Sequence, residues 1–323
     1  MNFREQVSIH EIDFEDHLYR TSYLRKDALL RDSFLKVGIL QPPILQIKGE
    51  GFRIICGFRR LEFLRDQGAS ETKAFIREEN ENRYSLFQSA LFENLSVRDL
   101  NLVEKAKVID RLLTTFEKTK NEIQKEYFPL LGLGQNNKWF EWLPSLLLMP
   151  QVIQSSFIKG DLSFDLIDFF SGIDSGLQLN LLNLFHEFQL NKNKQKEVLH
   201  LLQDLLKSKA CTAEEFLTHF RLTELKQTRM TPTQKAEKFC QWISEWRYPM
   251  YSKAENIFKK WVSEQKISPL LEIQHSPFFE LKKYDVRFSF KSPENLEKII
   301  EKLNQLRQGG VEDLEKRISG ETE

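Results

Sequence analysis

Arg59 and Arg60 stand two and three residues after Gly57 in the stretch "ICGFRRLEFLRDQG". A short apolar run precedes them and a helical pattern follows, which places both arginines in the first turn of a helix. A helix start presents unpaired backbone N–H groups and the positive end of the helix dipole. Guanidinium forks held there match phosphate oxygens, and a glycine just ahead lets backbone approach a ligand closely. The chemistry on offer is anion binding, phosphate above all. The plainer reading is a solvated basic helix start, and on this stretch alone it is the favoured one.

A second stretch, "ENLSVRDLNLVE" at 93–104, alters the balance. Glu93 and Asn94 close one helix and are oxygen ligands of the kind Mg²⁺ shares with the phosphates of a nucleotide. Arg98 follows as a further cation for a phosphate. Asn101 opens the next helix with Glu104 three residues on, the spacing of a reciprocal cap and a structural role.

The elements that must position these residues read as follows. Residues 7–12 alternate like an edge strand. Residues 26–37 have helical spacing and stop at Gly38. "ILQPPILQIKGEGFRIICG" reads as two strands around Gly49 and Gly51, 59–67 as a helix, "ETKAFIRE" as a strand, and 82–92 and 101–118 as helices. Residues 1–95 thus form an α+β domain. From 96 to 225 the pattern is all-α, with short loops that suit a compact bundle. Residues 226–323 bring two more helices, a hairpin expected in "FFELKKYDVRFSF", and a helix from Pro293, capped by Ser292 and ended at Gly309. The tail after it is expected to fray. The whole is predominantly helical.

Composition narrows the class. Lys+Arg and Asp+Glu are both 47, so any polyanion partner must meet a local basic surface. The cysteines, Cys56, Cys211 and Cys240, are odd in number and widely spaced, which suits neither a zinc site nor a disulfide framework. The lone histidines show no metal spacing. No apolar run approaches a membrane span and the N-terminus is too charged for a signal peptide, so a cytoplasmic protein without membrane contact is expected.

At this point the motifs resemble the ParB-type partition proteins, which share their N-terminal fold with sulfiredoxin. The family pattern runs "G-[LI]-x-x-P", two strands, "G-E-R-R" opening a helix, then "E-N-x-x-R-x-x-L-x-x-x-E-x-A". Here the pieces are Gly38-Ile39-Leu40-Gln41-Pro42, Gly57-Phe58-Arg59-Arg60, and Glu93-Asn94 with Arg98, Asn101, Glu104 and Ala106. "LGQNNKWFEWLPSLLLMPQVIQSSFIKGDLSF" looks like the family's helix-turn-helix segment, and "YDVRFSFKSPENLEKIIEKL" is similar to its C-terminal dimerisation unit. The resemblance implies a CTP-type nucleotide with Mg²⁺: Gly57, Arg59, Arg60 and Arg98 on phosphates, Glu93 and Asn94 on metal. It also implies a homodimer through 268–308, a centromere-like DNA site, nucleoid association and a partition ATPase as partner.

The chain departs from the pattern in two places. Phe58 stands where the family has Glu, and a phenyl ring neither polarises water nor binds metal, which argues against hydrolysis. Cys56 is not shifted into the reactive position that sulfiredoxin uses, because residues two apart on a strand share a face; it reads as a buried, inert thiol. In the helix-turn-helix, the expected recognition helix offers Asn136, Asn137 and Lys138 as DNA contacts, then Trp139, Phe140 and Trp142, with Pro144 expected to bend or end it. Residues 112–190 carry 5 Lys/Arg against 9 Asp/Glu, a weak phosphate footprint. Two readings stay open here: a DNA reader, or a degenerate bundle whose aromatic residues fill a core. The matching alternatives for the whole chain are a DNA-binding partition protein and a ParB-fold adaptor that holds a protein partner. A third, enzymatic use of the fold would have Glu93 as base.

Overall fold

The computed structural model describes residues 2–23, 28–265, 271–281 and 283–320. The chain packs as two compact units, Met1–Leu179 and Asn180–Glu323.

In the first unit a mixed five-stranded sheet is assembled in the order β1-β5-β3-β4-β2. The edges are β1 (Asn2–Ser8) and β2 (Ile12–Asp13). The expected single strand over 7–12 is instead the end of one edge and the start of the other, split by a 3-10 turn at Ile9–Glu11. Buried Ile9 donates its N–H to the Ser70 carbonyl at 2.9 Å, which turns the chain at that point. After α1 (Ala28–Val37), β3 (Ile44–Lys48) and β4 (Gly51–Cys56) form an antiparallel hairpin. Its two-residue turn begins at Gly49, whose φ of +58° suits a residue without a Cβ. Helix α2 (Phe58–Asp66) then leads to β5 (Glu71–Arg77), which pairs parallel with β3. Residues 26 and 27 of the expected first helix lie outside the described residues.

Strand β4 is covered on both sides. Phe52 and Ile54 join Val7, Leu45, Ala74 and Ile76 in a sheet core, while Ile55 and Cys56 join a second core built on the helices that follow. Such strands read as continuous apolar runs, as "IIC" does. The end of β4 is thereby fixed where α2 begins. The second core rests on α3 (Arg83–Leu95), α4 (Leu102–Thr114), α5 (Lys120–Leu130) and α6 (Trp139–Leu148). Helices α7 (Gln151–Lys159), α8 (Ile167–Ser171) and α9 (Ser175–Glu187) complete the all-α part, and the unit boundary falls within α9. Pro144 does not end α6, which continues to Leu148 with Leu143 and Leu146 fully buried on either side. Packing of those leucines outweighs the one hydrogen bond that proline removes.

The second unit holds α10 (Lys192–Lys207), α11 (Ala213–Thr218), α12 (Phe220–Gln227), α13 (Pro232–Arg247) and α14 (Pro249–Glu264). Thr231 caps α13 with Pro232 in its first turn, as the sequence implies. The hairpin differs from expectation. β7 (Tyr284–Phe288) pairs with β6 (Leu271–His275), upstream of the expected stretch. Pro277–Phe279 form a 3-10 turn with Phe278 and Phe279 at positive φ, while Leu271 and Ile273 alternate into the core. Residues 266–270, at the start of the expected dimerisation unit, and 282 lie outside the described residues.

Ser292 caps α15 (Pro293–Gln305), but Gly309 does not end the helical run. A π-helical turn over Leu306–Gly310 carries it into α16 (Val311–Ser319). Nor does the tail fray up to Ser319. Leu306 and Leu314 are buried with Trp261 and Ile299, and Arg317 pairs with Glu264 at 2.6 Å. Residues 321–323 lie outside the described residues. The architecture is α+β at the N-terminal end, all-α in the middle and α+β again at the C-terminal end. Among the described residues no helix is long and apolar enough to cross a membrane.

Candidate functional site

Gly57 makes the turn from β4 into α2 with φ +93°, a left-handed conformation that a side chain resists. A Cβ there would lie 2.9 Å from the Pro43 Cβ and 3.1 Å from Arg60 Nε. The glycine is therefore required by backbone conformation and by its neighbours, in addition to any ligand. No side chain caps α2. Phe58 directs its ring into the sheet core, 6% exposed, with the Arg20 guanidinium 5.5 Å from the ring centroid. The residue that departs from the family pattern thus anchors the helix start.

A cavity of about 510 Å³ opens at this turn, a size that suits a small-molecule ligand. Gly57, Arg59, Arg60, Glu93, Asn94 and Arg98 all line it. Residues 57–60 come from the start of α2 and residues 93 and 94 from the end of α3, so the cavity joins motifs more than thirty residues apart. Arg60 Nη2 donates to Glu93 Oε1 at 2.6 Å and its Nη1 donates to the Gln41 carbonyl at 2.6 Å. That fork is oriented by protein acceptors before any ligand arrives. Asn94 Nδ2 donates to the Ala90 carbonyl of its own helix at 2.8 Å, so the amide is turned with Oδ1 as its remaining polar atom. Glu93 carboxylate oxygen and Asn94 Oδ1 suit a Mg²⁺ that also takes phosphate oxygens and waters. Among the described residues no cluster of three or more acidic, His or Cys side chains forms a protein-only metal cage.

Arg98 has a second engagement. Its Nη1 and Nη2 donate to Glu104 Oε2 and Oε1 at 2.6 and 2.8 Å, and Glu104 is fully buried. Glu104 also accepts from the Asn101 N–H at 3.0 Å and the Tyr23 N–H at 3.1 Å. The reciprocal cap expected at Asn101 and Glu104 is present. The same carboxylate thus caps α4, orients Arg98 and holds the N-terminal segment.

That segment supplies lining residues the sequence reading missed. Thr21 and Ser22 face the cavity, and their buried hydroxyls have no hydrogen-bond partner among the described residues. A buried hydroxyl without a partner costs on the order of 1–3 kcal/mol, so a polar ligand edge would be matched there. One face of α4 clamps the segment: Lys107 Nζ donates to the Ser22 carbonyl at 3.4 Å, and Arg111 donates to the carbonyls of Arg20 and His17 at 2.5 and 2.7 Å. The spacing Glu104, Lys107, Arg111 on an amphipathic helix was the available signal. Burial pushes Lys107 down to about 8, with Arg111 and Arg20 adding repulsion.

Cys56 also borders the cavity. Burial, reinforced by the Glu93 carboxylate, pushes its thiol up to about 12, consistent with an inert core residue.

The expected DNA contacts sit elsewhere. Asn136, Asn137 and Lys138 are exposed just ahead of α6. Asn136 Oδ1 accepts from the Lys138 N–H at 3.0 Å, which organises the turn. Lys138 Nζ lies 3.7 Å from Asp168 Oδ2 and the Trp142 indole N–H donates to Asp168 Oδ1. Phe140 is buried, whereas Trp139 and Trp142 are half-buried and pack on Phe164.

No family model matches the chain. It is 31% identical over 134 residues to the chromosome-partitioning protein ParB of Myxococcus xanthus, 42% of this chain and 43% of that protein. It is 32% identical over 136 residues to the stage 0 sporulation protein J of Bacillus subtilis, 42% of this chain and 45% of that one. The matched stretch spans less than half the length of these curated relatives. Among solved structures, the C-terminally truncated ParB of Caulobacter crescentus complexed with CTP-gamma-S aligns at 21% identity over 57% of this chain and 98% of that one. The TM-score is 0.26.

Proposed function

With the chain a relative of the ParB-type partition proteins, we propose that it is a DNA-binding partition or nucleoid-associated protein with a nucleotide switch in its N-terminal domain. The observation that carries this reading is the convergence of Gly57, Arg59, Arg60, Glu93, Asn94 and Arg98 on one cavity. A triphosphate would lie across the start of α2, taking its backbone N–H groups and the arginines, with Mg²⁺ on Glu93 and Asn94. CTP is the first nucleotide to test. Binding without turnover is proposed, because Phe58 lies in the core and brings no carboxylate to the phosphates.

The three-part division at residues 95 and 225 is proposed as the division of labour: nucleotide, DNA and dimerisation. Leu40 and Val97 on the cavity rim are exposed apolar side chains. A second copy closing over that rim when nucleotide is bound gives the switch its differential affinity. The dimer seam is assigned to 268–308, where Val286 and Phe288 of β7 are exposed. Nucleoid association in the cytoplasm and a partition ATPase partner belong to the same proposal.

Calorimetric titration of the protein with CTP and Mg²⁺ tests it. Saturable binding, lost in Arg59→Ala, is the expected result. Absence of binding in the wild type, or unchanged binding in the variant, refutes the pocket.

The adaptor reading is favoured by one specific observation: Lys138 shares its charge with Asp168 and the α6 aromatics pack inward or on Phe164. A gel shift on genomic and random fragments decides between the two. Sequence-selective retention excludes the adaptor; uniform weak retention excludes a DNA reader at α6.

A further inference from the structure

The second unit holds a larger cavity, about 670 Å³, between the α12 start and the faces of α13 and α14. Its wall is a run of touching rings. His219 lies 4.8 Å from Phe220, 4.9 Å from Trp242 and 4.7 Å from Trp246, and the two indoles stack at 5.5 Å. Trp242 belongs to the core, but Trp246 is half-buried and Phe220 is 68% exposed. A phenyl ring left that open beside further rings is a stacking surface that no described residue covers. His219 Nδ1 accepts the Arg221 N–H at 3.2 Å, so the neutral ring carries its proton on Nε2 as a donor.

Charge completes the wall. Arg221 and Glu245 line the cavity and cancel each other at 2.9 Å. Lys253 and Lys260 remain, seven residues apart on one face of α14 and so about 10 Å apart along its axis. Lys253 makes no ion pair among the described residues. Lys260 lies 3.9 Å from Glu264, whose other oxygen is held by Arg317 at 2.6 Å. The net character is cationic over an aromatic floor.

From this we infer that the cavity takes a nucleotide unit, its base stacked on Phe220 and Trp246 and its phosphate seated by Lys253 and Lys260. Bases stack on aromatic side chains without regard to sequence, and a cationic track beside the rings follows the backbone. An unpaired strand is the favoured source, since two lysines two turns apart can meet successive phosphates; a free nucleotide has the same chemistry. A proline-rich peptide would use the rings but has no need of the lysines.

The test is fluorescence anisotropy of the full chain with a labelled ten-residue oligothymidine at low salt. Saturable binding is expected, weakened at least fivefold by Phe220→Ala and again by Lys253→Glu, with Arg59→Ala unchanged. Both substituted side chains are exposed, so folding is not at risk, and Trp246→Ala serves as a further variant checked by circular dichroism. Competition by thymidine monophosphate at equal nucleotide concentration identifies a free nucleotide as the source; its failure identifies the strand. Equal binding of an abasic strand or of duplex, indifference to Phe220→Ala and Lys253→Glu together, or binding of a polyproline peptide in place of the oligonucleotide overturns the assignment.

Discussion

Glu104→Gln removes one negative charge from a fully buried side chain and changes little in volume. The carboxylate receives four donors, two on each oxygen: Arg98 Nη1 and the Asn101 N–H on Oε2, Arg98 Nη2 and the Tyr23 N–H on Oε1. A glutamine keeps one acceptor oxygen and turns an NH₂ toward the other pair. Whichever way the amide is placed, one guanidinium N–H and one backbone N–H lose their acceptor, either at the cap or at the tether to Tyr23. Breaking a buried pair costs about 3–5 kcal/mol. Arg98 is 18% exposed, so water relieves part of its charge and the lower end of that range, about 3 kcal/mol, is expected. Hydrogen exchange in α4 peptides across a urea series reads the loss in the first unit. In the Glu104→Gln background, Arg98→Met should then add little, because the pair has already been broken. CTP affinity should also fall, although Glu104 does not line the cavity, since the Thr21–Ser22 segment loses a tether. A loss below about 1 kcal/mol, or strictly additive costs in the two variants, refutes the role given to this carboxylate.

Two further outcomes are expected. Gly57→Ala forces a Cβ to 2.9 Å from Pro43 at φ +93°; it should destabilise the first unit by about 1–3 kcal/mol in urea unfolding and abolish CTP binding, and a variant of wild-type stability would show that the turn is not constrained. Lys107 is held near 8 by burial, below the value of about 10.4 it has in the unfolded chain. The unfolded state therefore binds more protons at this site between those values, the penalty is complete below pH 8, and the Lys107 contribution to stability should rise by on the order of 1–3 kcal/mol as pH increases from 8 to 10.4. Burial raises the Cys56 and Cys240 thiols to about 12 and about 11, and they act in the opposite sense over the same range, so the Lys107 contribution is read as a difference. The stability of the wild type relative to Lys107→Met in urea unfolding should rise by that amount from about pH 8 to about 10.4, and a constant difference refutes it.

What the sequence disclosed and what it withheld divide along contact distance. Caps are local, and Asn101–Glu104, Thr231–Pro232 and Ser292–Pro293 form where their spacing says. The two phosphate-type motifs were legible because each is contiguous, and β4 and α3 bring them to one cavity without altering either. Thr21 and Ser22 were not legible: they have no periodicity of their own, and they reach the cavity only because α4, about eighty residues later, holds their backbone with Glu104, Lys107 and Arg111. The β6–β7 register was lost for a related reason. "FFELKKYDVRFSF" alternates as well as "LEIQH" does, and the choice between them was made by Leu271 and Ile273 packing against Trp261, together with a proline that cannot donate into the ladder. Gly309 shows the same competition with the opposite local signal. A glycine, a residue that commonly ends helices, was overruled by Leu306 and Leu314, whose burial on either side carries the chain through a π turn. Phe58 joins the two kinds of information. Its identity is a local departure from the family pattern, while its burial against the sheet is a tertiary fact. The helix that opens the candidate cavity is therefore anchored by the very residue that brings no acid to it.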